Sequence, residues 1–229
     1  MSIIPDKNLF LVTSCVNSVE TTYFDNEMRF QQTLVTLDSI NHKAPGSIVV
    51  VSDASVIPLT EYQKQAIGSR CSVLLDVSTR PEVQQASRIG AKSYAENALM
   101  FVTLSVLKEQ PWFKEVKRVF KISARSWMEE GFNLSDYDNM FGKYVFKKRI
   151  PTWMNPQMGG THLLITRFFS MCASLVDNYL EVSIKNLTKL DRMDAEHAHF
   201  MNIPDEYLVE FDNLYVSGWL AGNGTVETY

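Results

Sequence analysis

NLFLVTSCV, residues 8–16, is a short apolar run that ends in small polar residues. Such a run suits a strand buried on both faces, whose carboxyl end opens onto loops where ligands bind. Residues 25–42 follow, with Phe30, Leu34, Leu37 and Ile40 at helical spacing and Asp25 placed to cap the start. Ala44-Pro45-Gly46 breaks that helix. Residues 47–51 (SIVVV) are a second apolar strand, running into Asp53-Ala54-Ser55. Residues 59–68 predict a short helix closed by Gly68, and residues 71–77 (CSVLLDV) a third strand. This β-α-β-α-β order predicts a parallel sheet with helices on its faces.

Residues 82–109 read as the longest helical stretch, ended by Pro111, with Lys92 and Glu96 four apart and able to pair. Residues 117–123 (KRVFKIS) are a fourth strand, leading into Ala124-Arg125-Ser126-Trp127. The second half is less regular. It predicts an edge strand at 141–150 beside the basic run Lys147-Lys148-Arg149, a loop at 151–160 and a strand at 161–169. Helices follow at 172–189 and 194–201, and the tail after Ala221 reads as loose. The expectation is one α/β domain over residues 1–229. Residues 1–130 form a mostly parallel, Rossmann-like half, and residues 131–229 lie across its open edge.

Composition narrows the function. Of 229 residues 45% are hydrophobic, enough to bury a core without disulfides or metal. A net charge of −4 argues against a nucleic-acid partner held by bulk charge. Cys15, Cys71 and Cys172 form no CxxC, so neither a zinc site nor a disulfide scaffold is expected, and reduced thiols fit a cytoplasmic protein. No apolar run approaches the ~18 residues of a membrane span, so no transmembrane segment is expected. The run at 9–16 is interrupted by Thr13, Ser14 and Cys15 and follows Asp6, which favours a strand over a signal sequence. GxGxxG, GxxxxGK[ST] and GxSxG are all absent from the sequence. His197 and His199 lie two apart, so a helix would point them about 200° apart and they could not share a metal.

Polar residues follow each apolar strand: Thr13-Ser14, Asp53-Ala54-Ser55, Asp76 and Ser123-Ala124-Arg125. In this order the chain resembles the nucleotide-sugar half of the A-type (GT-A fold) glycosyltransferases. A narrower likeness is to sugar transferases of large viruses, phages and bacterial polysaccharide clusters. The resemblance implies a hexosyltransferase-type enzyme with a nucleotide diphosphate sugar donor and a glycan or glycoconjugate acceptor. It puts Asp53 where the family's acid meets the donor base, and Thr13 and Ser14 in the nucleotide pocket. Gly90-Ala91-Lys92 with Asn97 matches the start of the family's next helix.

The departure comes after the fourth strand. Where many members carry an Asp-x-Asp that holds Mn²⁺ or Mg²⁺, this chain has Lys121-Ile122-Ser123-Ala124-Arg125. Ser123 and Arg125 cannot hold a hard divalent cation, which wants oxygen anions. Arg125 could instead meet the diphosphate, helped by Lys92 or Lys121, so no metal ligand is assigned. The expected enzyme is metal-independent, or weakly dependent on Mn²⁺ or Mg²⁺.

An inverting transferase also needs a carboxylate base, which the family often places at a helix start in the second half. Asp194-Ala195-Glu196-His197 is the local match, with Glu196 first and Asp194 second. Trp127, Trp153 and Tyr144 could stack on sugar faces, and His162 and Arg167 could reach the acceptor. The alternative is a non-catalytic nucleotide- or sugar-binding module of the same fold. A nucleotidyltransferase is disfavoured, because the loop from Thr13 to Thr22 has neither Gly nor a basic residue.

Overall fold

The computed structural model describes residues 7–19, 23–89, 92–152, 160–189, 193–220 and 222–229. Its first half runs β1 (Lys7–Ser14), α1 (Asn26–Lys43), β2 (Ile48–Asp53), α2 (Glu61–Gly68), β3 (Val73–Asp76), α3 (Pro81–Ile89) and α4 (Lys92–Lys108). β4 (Val116–Ser123) and β5 (Ser126–Met128) close that half. The second half adds β6 (Tyr144–Lys147), β7 (Ile150–Pro151), β8 (His162–Leu163), β9 (Phe168–Cys172), α5 (Val176–Leu187) and α6 (Ala195–Asn202). The last strands are β10 (Leu208–Phe211), β11 (Val216–Trp219) and β12 (Val226–Thr228).

β1 is continuously apolar because it is covered on both faces and flanked on both edges. Alternation splits its side chains between two cores. Phe10 and Val12 join Val49, Val51, Phe120 and Ile122 beneath Phe30, Leu37 and Ile40 of α1 and Ile67 of α2. Leu9 and Leu11 join Val50, Val119 and Phe169 on the other face, under Met100 and Leu104 of α4 and Tyr179 and Leu180 of α5. Each such side chain contributes roughly 1.5–3 kcal/mol by leaving water. Phe10 and Phe120 stack across β1 and β4 with centroids 4.6 Å apart.

The main sheet has seven strands in the order β10-β6-β9-β4-β1-β2-β3. All neighbouring pairs are parallel except those of β9, which runs antiparallel to both β4 and β6. A three-stranded sheet, β12-β11-β5, and a two-strand ladder, β7-β8, complete the pairing. From β1 the chain steps outward to β2 and β3, then returns to β4 on the other side of β1. The carboxyl ends of β1 and β4 therefore flank a topological switch point, where open α/β sheets bind ligands.

Asp25 caps α1, accepting from the Met28 amide at 2.7 Å. Thr60 and Gln63 form a capping box on α2. Gly68 is the last helical residue there, and Ser69, in ordinary right-handed geometry, is the cap instead.

Several expected boundaries shift. The stretch 82–109 is two helices, α3 and α4, packed on each other. β6 is an interior strand with Tyr144, Val145 and Phe146 fully buried, because β10 pairs outside it and takes the edge. The stretch 161–169 divides into β8 and the start of β9. The tail is tied down: β12 pairs with β11, and Tyr229 is 3% exposed within the α1-side core. Gly90, Ala91, Trp153 and most of the 151–160 loop lie outside the described residues. Among the described residues no helix is long and apolar enough to cross a membrane.

One buried group sets an acid limit on stability. His199 on α6 lies 2.7 Å from the Ala195 carbonyl through Nδ1, which therefore carries the proton, and Nε2 accepts from the Tyr179 hydroxyl at 3.0 Å. Burial lowers its pKa to about 4. The folded form wants the neutral ring, whereas the unfolded chain takes up a proton near the ordinary value of about 6.5. This contribution is whole above that value and is lost as pH falls towards 4, about 3 kcal/mol in all. Urea unfolding between pH 7 and 4 should show this slope, and it should flatten in His199→Gln. Equal slopes in the two proteins would exclude the assignment.

Candidate functional site

A cavity of about 280 Å³ opens at the switch point, with room for a small molecule rather than a lone ion. Thr13, Ser14 and Cys15 line it from the end of β1, and Ser123, Ala124 and Arg125 from the end of β4. Arg29 and Thr33 reach it from α1, Ala54 and Val56 from the end of β2, and Lys92, Ala95 and Glu96 from α4. Of the residues singled out in the sequence for donor binding, Thr13, Ser14, Lys92, Ser123 and Arg125 come together on this wall.

Asp53 does not face the cavity. It is 1% exposed, and its carboxylate accepts from the Ser14 hydroxyl, the Val16 amide (3.2 Å) and the Ser55 amide (2.9 Å). Three donors from two loops converge on one carboxylate, which ties the end of β1 to the end of β2. Asp53, which the resemblance puts at the donor base, is held here in a knot that joins the two strand ends. Its removal would orphan buried donors and disturb the fold before it reported on a ligand.

The wall carries positive charge. Burial lowers the pKa of Arg125, and the nearby guanidinium groups of Arg29 and Arg167 lower it further. A guanidinium stays charged under such pressure. Arg29 is aimed by the Cys15 carbonyl (3.2 Å) and the Phe24 carbonyl (3.3 Å). The Cys15 thiol, also in the lining, is pushed up by burial and by the Asp53 charge, against the pull of Arg29 and Arg125. Crowded like charges on a cavity wall are stabilised when an anion enters.

Behind this wall lies a charged chain. The Lys121 ammonium is almost wholly buried and donates to Glu96, to the Ser123 hydroxyl (2.8 Å) and to the Thr166 carbonyl (2.7 Å). Burial pushes Glu96 up, but Lys121 outweighs it and holds the carboxyl below its usual value. The pairing expected between Lys92 and Glu96 is replaced by this one. The Thr166 hydroxyl donates to Glu196 at 3.0 Å. Burial and the Glu96 charge together raise the Glu196 pKa. Lys121 thus braces the wall rather than facing the cavity, and Glu196, outside the cavity lining, is joined to it through Thr166.

The other expected site residues lie outside the cavity lining, Arg167 close to it. Asp194 caps α6, accepting from the His197 amide (2.9 Å) and the His197 ring (2.6 Å), so its carboxylate is already engaged. His162 packs on Phe200 with centroids 5.2 Å apart, outside the cavity lining. Arg167 lies over the Tyr229 ring, 5.8 Å from its centroid, and its backbone carbonyl accepts from the Ser123 amide. Trp127 contacts Trp219 beyond Arg125. Tyr144 is buried in the core, so it offers no face to a sugar. Two residues of the basic run are paired with acids around β10, Lys148 with Asp212 and Arg149 with Asp205 and Glu210, while Lys147 reaches the Thr228 carbonyl.

Arg29 and Glu96 are charged cavity residues to which the sequence reading gave no ligand-binding role. Arg29 lies in the first turns of the helix that follows β1, so the chain had to turn back over β1 to aim it. A charged side chain so close after a strand end was the available signal.

The residues present do not fit the divalent cation that an Asp-x-Asp would hold. Ser123 offers a neutral oxygen, Ala124 none, and Arg125 a cation at the same strand end. Among the described residues no group of three or more His, Cys, Asp or Glu side chains could hold a metal ion.

No family model matches the sequence, and no curated protein matches it. Solved structures do. A mannosyltransferase from S. cerevisiae, Ktr4p, superposes with a TM-score of 0.56 at 11% identity, over 90% of this chain and 69% of that one. Core-mannan synthase A from Aspergillus fumigatus, in its Mn/GDP form, gives 0.53 at 9% identity, over 90% and 73%. The galactosyltransferase LgtC, solved with donor and acceptor sugar analogs, gives 0.55 at 8% identity, over 88% and 72%. The chain has the fold of the A-type glycosyltransferases.

Proposed function

We propose that the protein moves a sugar from a nucleotide diphosphate sugar to a hydroxyl of a glycan or glycoconjugate, with cationic side chains in place of a metal at the diphosphate. The observation that carries this reading is the convergence of Arg125 and Arg29 on a cavity at the β1/β4 switch point, which Lys92 also lines from α4. Negative charge grows on the leaving diphosphate as the sugar departs, and fixed cations in a partly dry cleft stabilise it. Arg125 offers two parallel donors to phosphate oxygens. Thr13, Ser14 and Ser123 supply the neutral polar lining.

For an inverting transfer, the acceptor oxygen forms a bond to the anomeric carbon as the bond from that carbon to phosphate breaks. The electron pair goes to the diphosphate, and the acceptor proton goes to Glu196, which lies outside the cavity lining, so the acceptor hydroxyl binds beside the donor cavity rather than in it. A pKa raised by burial and by Glu96 makes Glu196 a stronger base than an exposed carboxylate.

Thermal shift with nucleoside diphosphates tests the donor site. A ligand that binds only the folded protein raises the melting point. The expected result is stabilisation by one nucleoside diphosphate in EDTA, unchanged by Mn²⁺ or Mg²⁺, and weakened about 10- to 100-fold in Arg125→Ala. Stabilisation only with metal would overturn the cationic site. No response to any nucleoside diphosphate would overturn the donor site itself.

A further inference from the structure

Two indoles stand beside the cavity without a role in the fold's core. Trp127 on β5 and Trp219 on β11 lie with ring centroids 4.3 Å apart and planes tilted by 49°. Both are half-buried. The strands explain their direction. Met128 and Val216 point into the α1-side core, so alternation turns Trp127 and Trp219 to the opposite face. Gly218 lets the strands close: a Cβ there would come within 2.7 Å of the Ser126 hydroxyl oxygen. The pair neighbours the cavity through Arg125: the Trp219 amide donates to the Arg125 carbonyl at 2.9 Å, Trp127 lies two residues further along the chain, and the Arg125 side chain lines the cavity.

We infer that Trp127 and Trp219 form a platform for a pyranose ring of the acceptor. This rests on the transferase reading above and deepens it, by assigning the acceptor a sugar with one apolar face. A pyranose shows C–H bonds on one face and hydroxyls at its rim. Indoles take up that apolar face, and their breadth offsets the cost of leaving it in water. The tilt between the planes makes a shallow cleft suited to one ring rather than to a flat extended surface. The position beyond Arg125 puts that ring next to the place where the diphosphate departs.

Saturation-transfer NMR with methyl glucoside, methyl galactoside and methyl mannoside tests the platform directly, without turnover. One glycoside should receive saturation on its ring C–H protons in the wild type. Its affinity should fall about 5- to 10-fold in Trp127→Ala and in Trp219→Ala, and largely return in Trp219→Phe. Nucleoside diphosphate binding, followed by thermal shift on the same proteins, should not change, which also shows that the variants are folded. Glycoside signals that persist in both alanine variants would overturn the platform, as would the absence of binding by all three glycosides. Loss of nucleoside diphosphate binding in the alanine variants would overturn it too, since the indoles would then serve the donor base. Glycoside binding by the indoles with no nucleotide response in the wild type would leave the platform standing and sink the transferase reading alone.

Discussion

Replacing Lys121 with methionine should lower the unfolding free energy by about 2 kcal/mol, less than for a fully buried pair because Glu96 is 35% exposed on the cavity wall. The methionine fills most of the space, so the loss is electrostatic rather than a cavity. Glu96 would keep its place without the ammonium that holds its charge, and the Thr166 carbonyl would lose a donor at 2.7 Å. Removing the buried partner leaves Glu96 as an uncompensated charge, screened in part by its own exposure. Neutralising the other side should therefore help: Lys121→Met with Glu96→Gln should be more stable than Lys121→Met alone, against additivity. Urea unfolding midpoints measure both. A single variant within 1 kcal/mol of the wild type would show that Lys121 does not brace the cavity wall.

The second large effect falls on turnover. Glu196→Gln should reduce kcat by roughly 10²–10⁴-fold, the usual contribution of a positioned general base. The amide oxygen of glutamine can still accept from the Thr166 hydroxyl, so the fold and the nucleoside diphosphate affinity should persist. A pH profile separates chemistry from structure. The base works only when deprotonated, so turnover of the wild type should fall as pH drops through the raised pKa of Glu196. That acid limb should vanish in the glutamine variant. A variant with unimpaired turnover would remove Glu196 from the mechanism. Nucleotide binding with no turnover in the wild type, over a panel of donors and acceptors, would favour the non-catalytic module, the reading that Ser123-Ala124-Arg125 in place of two carboxylates also allows.

The first half of the chain was legible because its signals are local. A run such as Leu9–Val12 can be so apolar only between two neighbours and two layers, and capping by Asp25 is decided within one turn. The polar ends of β1 and β4 could be placed at a site because topology alone brings them together. What escaped was set by contacts between distant residues. Asp53 looks like any acid after a strand until Ser14, Val16 and Ser55 are seen to consume it. Glu96 looks paired to Lys92 at helical spacing, yet a buried ammonium on β4 competes better. β6 reads as an edge until β10, some sixty residues later, pairs outside it. The loose-looking tail is held by β11, an arrangement that no feature of its own polar sequence announces.

The knot at Asp53 bears on how fast a ligand comes and goes. Its hydrogen bonds, made wholly within the protein, fix the β1 and β2 ends, so this part of the site has little entropy left to lose on binding. Entry then resembles rigid docking, at a rate set mainly by encounter and by the attraction of an anion to the guanidinium wall. Nucleotides that differ in affinity should arrive at similar rates and differ chiefly in residence time.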